Sequence, residues 1–511
     1  MRRTGQHSTA SNAAWNIFGG LSPALLAVAL PPILVHSLPS ADFGLWAVIL
    51  QVTAVAAAFG AVAQLAVARF VAVAAAREDA VARDSYVSTA FLLALLLGAL
   101  LIAVMAVISL HIKAVFPQLP ASLYSEAGLC LLLVSAGASA MLPTGVISGQ
   151  FMGEQRSRVP NSITFLGRLL QGVLVAVAAL WTSSLVLIAL AHMAGNLAIL
   201  VVQVLAQHRL AHTRIKRSLV SRGLVRSLSA FSAILLLWQI AAFIINGIDL
   251  VVLSRIDFAA VPYFAVAGSA SAIFGGVIGS VYNAFIPLAA RLHEGGDGER
   301  LAAFLQEGLR LGTTFMLMAG IPLVLCCEPL LRLWVGTGYA SRSAMIMTIL
   351  VAALLVRTSV MMYVIVAVAS GSHGKAWAGP VFEAGANLGL SIALGSWLGA
   401  PGVALGTLAS SGIGVAAWLV LDPLRNAVNG RVGWRVTFDA LRRPAAVLLP
   451  FGLIGLLVPR ELRASWSGLV IVSAAAVLLG WFFALTEKDR SALMPWLRHR
   501  LALIRTRLVA P

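Results

Sequence analysis

Charged residues are scarce in this chain. Asp, Glu, Lys and Arg make up only 11% of its 511 residues, whereas they make up roughly 25% of a soluble domain. A chain with so little charge cannot give several soluble domains a hydrated surface, and none of its polar stretches is long enough to fold alone. Hydrophobic residues account for 60% of the chain. This composition is typical of an integral membrane protein and predicts a single all-α polytopic bundle.

Cysteines and catalytic carboxylates are also few. Cys130, Cys326 and Cys327 lie in or beside apolar runs, without the spacing or the histidines of a metal site. We interpret them as reduced packing residues. The chain also has no paired carboxylates and no substantial outer loop, which argues against a membrane glycosyltransferase or polymerase. The sequence therefore predicts a protein that is not an enzyme, with no catalytic residues, no metal site and no cofactor.

Apolar runs instead recur from end to end, and cutting at polar and turn-rich points predicts fourteen membrane spans. The first six spans are predicted at 13–37, 43–68, 85–110, 124–150, 160–181 and 184–206. The remaining eight are predicted at 228–254, 260–290, 303–327, 344–370, 376–397, 402–421, 444–459 and 465–485.

The basic connections between these spans suggest a division of the chain. We predict an N-terminal lobe at 1–207, a basic cytoplasmic connection at 208–227, a C-terminal lobe at 228–422, a second basic connection at 423–443, spans 13 and 14 at 444–486, and a basic cytoplasmic tail at 487–511. Asp42-Phe43 and Asp257-Phe258 occupy matching turns in the two lobes. This likeness indicates either a duplication related by an axis along the membrane normal or two blocks of similar composition.

Positive charge is concentrated on one side of the predicted spans. The formal net charge is +17, but the Lys and Arg residues lie in short segments between apolar runs, which indicates membrane orientation and not nucleic-acid binding. With the N-terminus inside, most of them are cytoplasmic, and this asymmetry predicts that both termini are cytoplasmic. Six basic residues fall outside: Lys113, Arg255, Arg332, Arg342, Arg460 and Arg463. Only Arg168 and Arg357 fall within the membrane.

Several stretches resemble one family of transporters. They are the first span with Asn12 and Asn16 followed by LPSADFGLWAV, then PTGVISGQFMGEQRSRVPN, YFAVAGSASA with FIPLAARLHEGGDGERL, and LLRLWVGTGYASRSA. They resemble bacterial polysaccharide-export flippases of the Wzx type, which belong to the multidrug/oligosaccharidyl-lipid/polysaccharide (MOP) superfamily. The resemblance covers nearly the whole chain.

The resemblance implies two six-helix lobes around a central cavity, two additional C-terminal helices and alternating access. It also implies a location in the bacterial inner membrane. The implied substrate is an undecaprenyl-pyrophosphate-linked oligosaccharide, flipped to the outer leaflet during O-antigen (lipopolysaccharide), capsule or exopolysaccharide synthesis. Contacts with a polysaccharide polymerase and glycosyltransferases would follow from that role.

The two membrane arginines are the candidate substrate-binding residues, because a guanidinium presents several donors that match phosphate oxygens. Arg357 lies roughly 20 Å of helix rise from either end of the predicted span 344–370. It lines the cavity, pairs with another helix or, least favoured, snorkels to lipid headgroups. Arg168 lies roughly 12 Å from the start of its helix, so it either helps to bind substrate or snorkels. Gln171 and Asn161 share its helix face and favour a polar cavity.

Two carboxylates are candidates for coupling transport to H⁺ or Na⁺. Asp249 follows Asn246 in the seventh predicted span, and Glu383 precedes Asn387 in the eleventh. Each pair forms a polar patch for an ion or satisfies one buried side chain with another. An ion-coupled multidrug exporter of the same superfamily is the closest alternative function. The membrane arginines count against it, because a site for organic cations should be acidic.

Overall fold

The computed structural model describes residues 25–211, 213, 215–371, 377–421, 424, 434–491 and 494–495. Over these residues the chain is helical and contains no strand. Several sequence predictions fall outside the described residues: the start of the first span with Asn12 and Asn16, residues 423 and 425–433 of the second basic connection, and most of the basic tail.

The helices are numbered in chain order. The first ten are α1 (Leu25–Ser37), α2 (Ser40–Thr53), α3 (Val55–Ala76), α4 (Ala80–Leu110), α5 (Ile112–Val115), α6 (Tyr124–Ser139), α7 (Met141–Gly153), α8 (Arg158–Thr182), α9 (Leu185–Leu210) and α10 (Arg222–Ile256). The next ten are α11 (Val261–Asn283), α12 (Ile286–Glu294), α13 (Gly298–Val335), α14 (Thr337–Thr358), α15 (Met361–Ala369), α16 (Ala378–Leu398), α17 (Ala400–Leu421), α18 (Trp434–Leu456), α19 (Arg460–Arg463) and α20 (Trp466–Leu479).

Each of the fourteen predicted spans is mainly helical where the structure describes it, which confirms the all-α polytopic class. Within the described residues, eleven helical segments are long and apolar enough to cross a membrane. The other three predicted spans correspond to α1, α16 and α18. Of these, α1 is short within the described residues, α16 carries Glu383, and α18 begins with a charged stretch. The protein is a multi-pass membrane protein.

Some predicted spans are interrupted. The span predicted at 344–370 was wrong as a single helix, because α14 ends at Thr358 and α15 begins at Met361. A second break separates α11 from α12, with Pro287 in the first turn of the new helix, where a missing N–H is tolerated. Helix α13 is kinked at Cys326, between Pro322 and Pro329. Proline accounts for the second break and the kink, whereas the break after Thr358 has no proline.

The chain forms two compact units that do not follow one another simply along the sequence. The first unit contains residues 1–273 together with 383–407, and the second contains 274–382 together with 408–511. Parts of α16 and α17 therefore belong with the N-terminal helices. The predicted lobe boundaries and the proposed duplication remain predictions.

Close packing of α3 against α7 organises the first unit. Gly145, Gly149 and Gly153 recur every four residues along α7, in the segment PTGVISGQFMGE. A Cβ atom on Gly145 would lie only 2.2 Å from the carbonyl oxygen of Gly60, and one on Gly149 would lie 2.4 Å from that of Gln64. Small residues at this spacing let two membrane helices approach backbone to backbone. This packing is a physical reason for the glycines in one of the family-like motifs.

Helix α13 is held to the C-terminal helices of the second unit near both of its ends. Near its start, Arg310 donates two hydrogen bonds to the Asp489 carboxylate, at 2.6 and 3.1 Å. Near its end, Glu328 is paired with Arg332 at 2.7 Å and with Arg460 at 3.2 Å. The segments that precede and follow span 14 are therefore fixed to α13 by ion pairs at two levels.

Candidate functional site

Arg168 lies inside the first unit, where neutral groups surround its guanidinium. Its Nη1 donates to the side-chain oxygens of Gln171 at 2.7 Å and Asn196 at 3.1 Å, and its Nη2 lies 3.3 Å from the Met141 sulfur. No carboxylate of the described chain forms an ion pair with it. The arginine is therefore hydrogen bonded, but its charge is not neutralised by these partners.

The groups around Arg168 are themselves held in place. Gln171 is 3% exposed, and its amide donates to the backbone carbonyl of His192 at 2.8 Å. The absence of a side chain at Gly195 permits this approach, because a Cβ there would lie 2.5 Å from the Gln171 Cβ. Gln171 is thus a direct partner of Arg168. Asn161, the other residue predicted on this face, is not among its hydrogen-bond partners.

A line of buried amides continues along α9 beyond Asn196. The Gln203 amide donates to Thr164 and accepts from Ser148, both at 3.2 Å, and one turn further Gln207 donates to Gln150 at 2.9 Å. Sequence reasoning missed this line. The sequence feature that could have indicated it is the helical spacing of Asn196, Gln203 and Gln207 in the otherwise apolar run NLAILVVQVLAQ. This spacing places the three amides on one face of α9.

Arg357 belongs to the second unit and stands in the last turn of α14. Its Nη2 donates to the hydroxyl of the fully buried Ser411, at 3.3 Å. The break after Thr358 therefore changes the setting that the sequence predicted. Because the carbonyl end of a helix carries partial negative charge, it favours a cation at this position.

Asp249 is the centre of a buried polar cluster in the first unit. It is 6% exposed, and its carboxylate accepts hydrogen bonds from Ser391 at 3.1 Å and Thr407 at 2.5 Å. Asn387 donates to the same Thr407 hydroxyl at 3.2 Å. The Val403 carbonyl lies 3.3 Å from both hydroxyls. The cluster joins α10, α16 and α17 across nearly 160 residues of sequence.

Glycines bring α16 and α17 close enough to share this cluster. A Cβ on Gly406 would lie 2.5 Å from the backbone nitrogen of Ser391, and one on Gly402 would lie 2.0 Å from the carbonyl oxygen of Leu394. The spacing of the two glycines is that of a close helix-packing motif. The segment 383–407 is therefore one compact hairpin, which accounts for its joining the first unit as a piece.

The sequence predicted that each carboxylate pairs with an amide of its own helix. In the structure, the hydrogen bonds of Asp249 come from other helices. Glu383 is buried one turn before Asn387 on the same face of α16. Asn246 is exposed, and its amide donates to the carbonyl of Ala242 at 2.7 Å. Asp249 faces hydroxyl groups that its own helix does not supply. A carboxylate, two hydroxyls, an amide and a backbone carbonyl form the oxygen-rich set that a hard cation requires.

Sequence comparison gives the family. A family model described as "Polysaccharide biosynthesis protein" matches residues 9–293, more than half of the chain. The chain belongs to the polysaccharide biosynthesis protein family. No curated protein matches it in sequence. Membership agrees with the polysaccharide-export resemblance drawn from the motifs.

Solved structures show the same fold. The lipid II flippase MurJ, in an inward closed conformation, matches with a TM-score of 0.66 and 11% identity over 92% of this chain and 97% of that chain. An inward-facing MATE family multidrug transporter of the MOP superfamily matches with a TM-score of 0.64 and 17% identity, over 83% of this chain and 96% of that chain. The MATE transporter VcmN of Vibrio cholerae matches with a TM-score of 0.56 and 16% identity, over 84% of this chain and 100% of that chain. At these identities the likeness establishes the fold alone.

Proposed function

We propose that this protein flips an undecaprenyl-pyrophosphate-linked oligosaccharide across the bacterial inner membrane by alternating access. The family and the fold support this role, and the charge asymmetry of the sequence supports an orientation with both termini in the cytoplasm. The product would serve O-antigen, capsule or exopolysaccharide synthesis, next to a polymerase and glycosyltransferases.

The setting of Arg168 is the observation that carries this proposal. A charged side chain inside a membrane protein is costly and marks a functional position by default. Arg168 receives oriented amide oxygens but no counter-charge from the described residues. An anionic pyrophosphate would supply that charge through bonds that fit the planar guanidinium. We assign Arg357 the same task in the second unit, where Ser411 orients its guanidinium.

Substitution of each arginine tests the assignment. Arg168→Ala and Arg357→Ala should each lower surface polysaccharide by about tenfold or more, because loss of a charge-assisted hydrogen bond of about 1.5–3 kcal/mol weakens binding by at least that factor. Lysine variants should recover part of the export, since lysine restores the positive charge but not the planar set of donors of the guanidinium. Arg69→Ala is the matched control, because Arg69 is exposed and packs over the Phe231 ring at 4.4 Å.

Export would be measured in a deletion strain complemented with each variant, at matched protein levels in the membrane. Full export by both alanine variants would rule out the proposed role of the arginines. Equal loss in the Arg69 control would show that any missing arginine harms the protein, and would contradict the assignment as well.

We propose further that the Asp249 cluster couples transport to a cation gradient. The carboxylate offers charge, Ser391 and Thr407 place hydroxyl oxygens against it, and the Asn387 amide donates to the Thr407 hydroxyl. Such a set suits Na⁺, while the carboxylate alone would serve for H⁺. Glu383, buried on the same face of α16, is the second candidate.

Thr407→Val separates the two ions, because it keeps the side-chain shape and removes one ligand oxygen. With Na⁺ coupling, transport in proteoliposomes should need Na⁺ at fixed pH, and Thr407→Val should raise the Na⁺ concentration for half-maximal rate severalfold. With H⁺ coupling, replacing Na⁺ by K⁺ should change nothing, and Asp249→Asn alone should stop transport. Undiminished transport by Asp249→Asn under either gradient would contradict the coupling role.

Drug export is the second candidate function, favoured by the fold shared with a MATE multidrug transporter. Cells expressing the protein should then lose ethidium faster than cells expressing Asp249→Asn. We expect equal rates, because Arg168 disfavours an organic cation near its site.

A further inference from the structure

A cleft opens in the second unit where α13, α19 and the start of α20 meet. Its volume is about 480 Å³, within the range of small-molecule sites. The connection from α18 to α20 lies on the side that the charge asymmetry predicts to be outside. The residues that line the cleft are Pro329, Arg332, Glu461, Ala464, Ser465 and Trp466.

The cleft has a firm frame. Arg460 is paired with Glu328 at 3.2 Å and ties α19 to α13. The Ser465 hydroxyl donates to the Leu462 carbonyl at 2.6 Å and accepts from the Gly468 N–H at 3.0 Å, which caps α20. These bonds fix the turn between α19 and α20, so the cleft is shaped before any ligand binds.

The lining combines an aromatic face with polar groups that are not fully used. Trp466 is 51% exposed, so its indole ring is accessible in the cleft. Glu461 is exposed, and no cation of the described chain pairs with it. Arg332 gives one N–H to Glu328 and has others to donate, since a guanidinium carries five. The lining carries one carboxylate and one guanidinium, and the adjacent pair of Glu328 and Arg460 adds one charge of each sign.

These features favour a neutral, hydroxyl-rich ligand. A cleft without net charge offers no particular attraction to a phosphate, and the charge of Arg332 is already shared with Glu328. A sugar ring instead has an apolar face for an indole and hydroxyls that donate to a carboxylate and accept from a guanidinium.

We propose that this cleft binds a neutral sugar ring of the glycan on the outer side of the membrane, with Trp466 beneath the ring, Glu461 accepting and Arg332 donating hydrogen bonds. This inference rests on the proposed function, because a lipid-linked glycan is what would bring sugar to this surface. The cleft would hold the headgroup after translocation and hinder its return.

Saturation-transfer NMR on the full-length protein tests the proposal. The protein would be placed in nanodiscs free of sugar detergents and probed with glucose, galactose, mannose and N-acetylglucosamine, each at millimolar concentration. We expect saturation transfer to at least one sugar. The signal should fall at least about fivefold in Trp466→Ala, and also in Glu461→Gln, which keeps the size of the side chain. Trp181→Ala is the matched control, since Trp181 is 84% exposed at the end of α8, and it should leave the signal unchanged.

No transfer to any of the four sugars, or equal transfer in wild type and Trp466→Ala, would overturn the proposal. Phosphoethanolamine is included as a second probe. If it binds in place of sugar with the same dependence on Trp466, the cleft is a lipid-headgroup site and the proposal is wrong. The binding assay does not require transport. Unimpaired export by the arginine variants would therefore contradict the proposed function. The sugar-binding result would still test the cleft by itself.

Discussion

The packing of α3 against α7 gives the sharpest stability prediction. Gly149→Ala would place a Cβ 2.4 Å from the carbonyl oxygen of Gln64, about 1 Å closer than the ordinary contact limit of 3.4 Å. The obstacle is backbone and cannot rotate away, so the two helices must separate. Gly145→Ala meets the Gly60 carbonyl oxygen at 2.2 Å and should be at least as harmful.

The size of the effect follows from two opposing terms. Overpacking of a tight contact costs typically about 1–3 kcal/mol, whereas alanine gains about 1 kcal/mol over glycine in a helix interior. The difference of those terms is a net loss of up to about 2 kcal/mol, and we expect Gly149→Ala near the upper end because the obstacle is backbone. The double variant Gly145→Ala/Gly149→Ala should lose less than the sum of the two, because one separation of the helices relieves both contacts.

Thermal unfolding of the purified variants measures this prediction. Gly268→Ala is the matched control, because Gly268 lies within α11 of the same unit and a Cβ there would meet nothing within 4 Å. The control should melt at or above the wild-type temperature, and Gly149→Ala clearly below it. If Gly149→Ala melts together with the control, the contact is not close and our reasoning on the packing is refuted.

Two further predictions concern the attachments of α13 and α15 to the C-terminal helices. Burial by itself raises the pKa of Asp489, but hydrogen bonds and charge from Arg310, with hydrogen bonds from Thr486, outweigh it and hold the pKa below its ordinary value. This carboxylate therefore stabilises the fold above the ordinary aspartate pKa and loses that contribution as pH falls through the lowered one. Asp489→Asn should melt below wild type at neutral pH, and the deficit should vanish in acid; a deficit independent of pH would contradict this. Tyr363 and Thr437 share a buried hydrogen bond between α15 and α18, so Tyr363→Phe should cost about 1–3 kcal/mol in chemical unfolding by leaving a polar group unsatisfied. Adding Thr437→Val should restore part of that loss, and strictly additive losses would show that the bond does not tie the two helices.

The positions of the helices were predictable because the bilayer imposes one rule along the whole chain. A span needs about 20 apolar residues with its backbone hydrogen bonded internally, so apolar runs become helices. This rule located even α16 and α18, which are less uniformly apolar. It could not reveal the break between Thr358 and Met361, because Thr and Ser are tolerated within membrane helices and this stretch contains no proline.

The site was predictable only where its partners share a helix. Gln171 stands three residues from Arg168, so helical geometry placed the two side chains together in advance. Asn196 lies 28 residues further on and reaches Arg168 only because α8 and α9 pack together. The partners of Asp249 are more distant still, at Ser391 and Thr407, and no spacing in the sequence indicates them.

The sequence by itself determined that the chain spans a membrane with helices and that few charges lie in its apolar runs. Both follow from the cost of polar groups in hydrocarbon, a cost that each residue carries wherever it packs. Only the tertiary structure decided what those charges face. Neutral amides accept hydrogen bonds from Arg168, and Arg357 lies in the last turn of a helix. Hydroxyls from two other helices donate to Asp249. Such partners depend on which helices approach closely, and that depends on glycines whose neighbours lie far away in sequence.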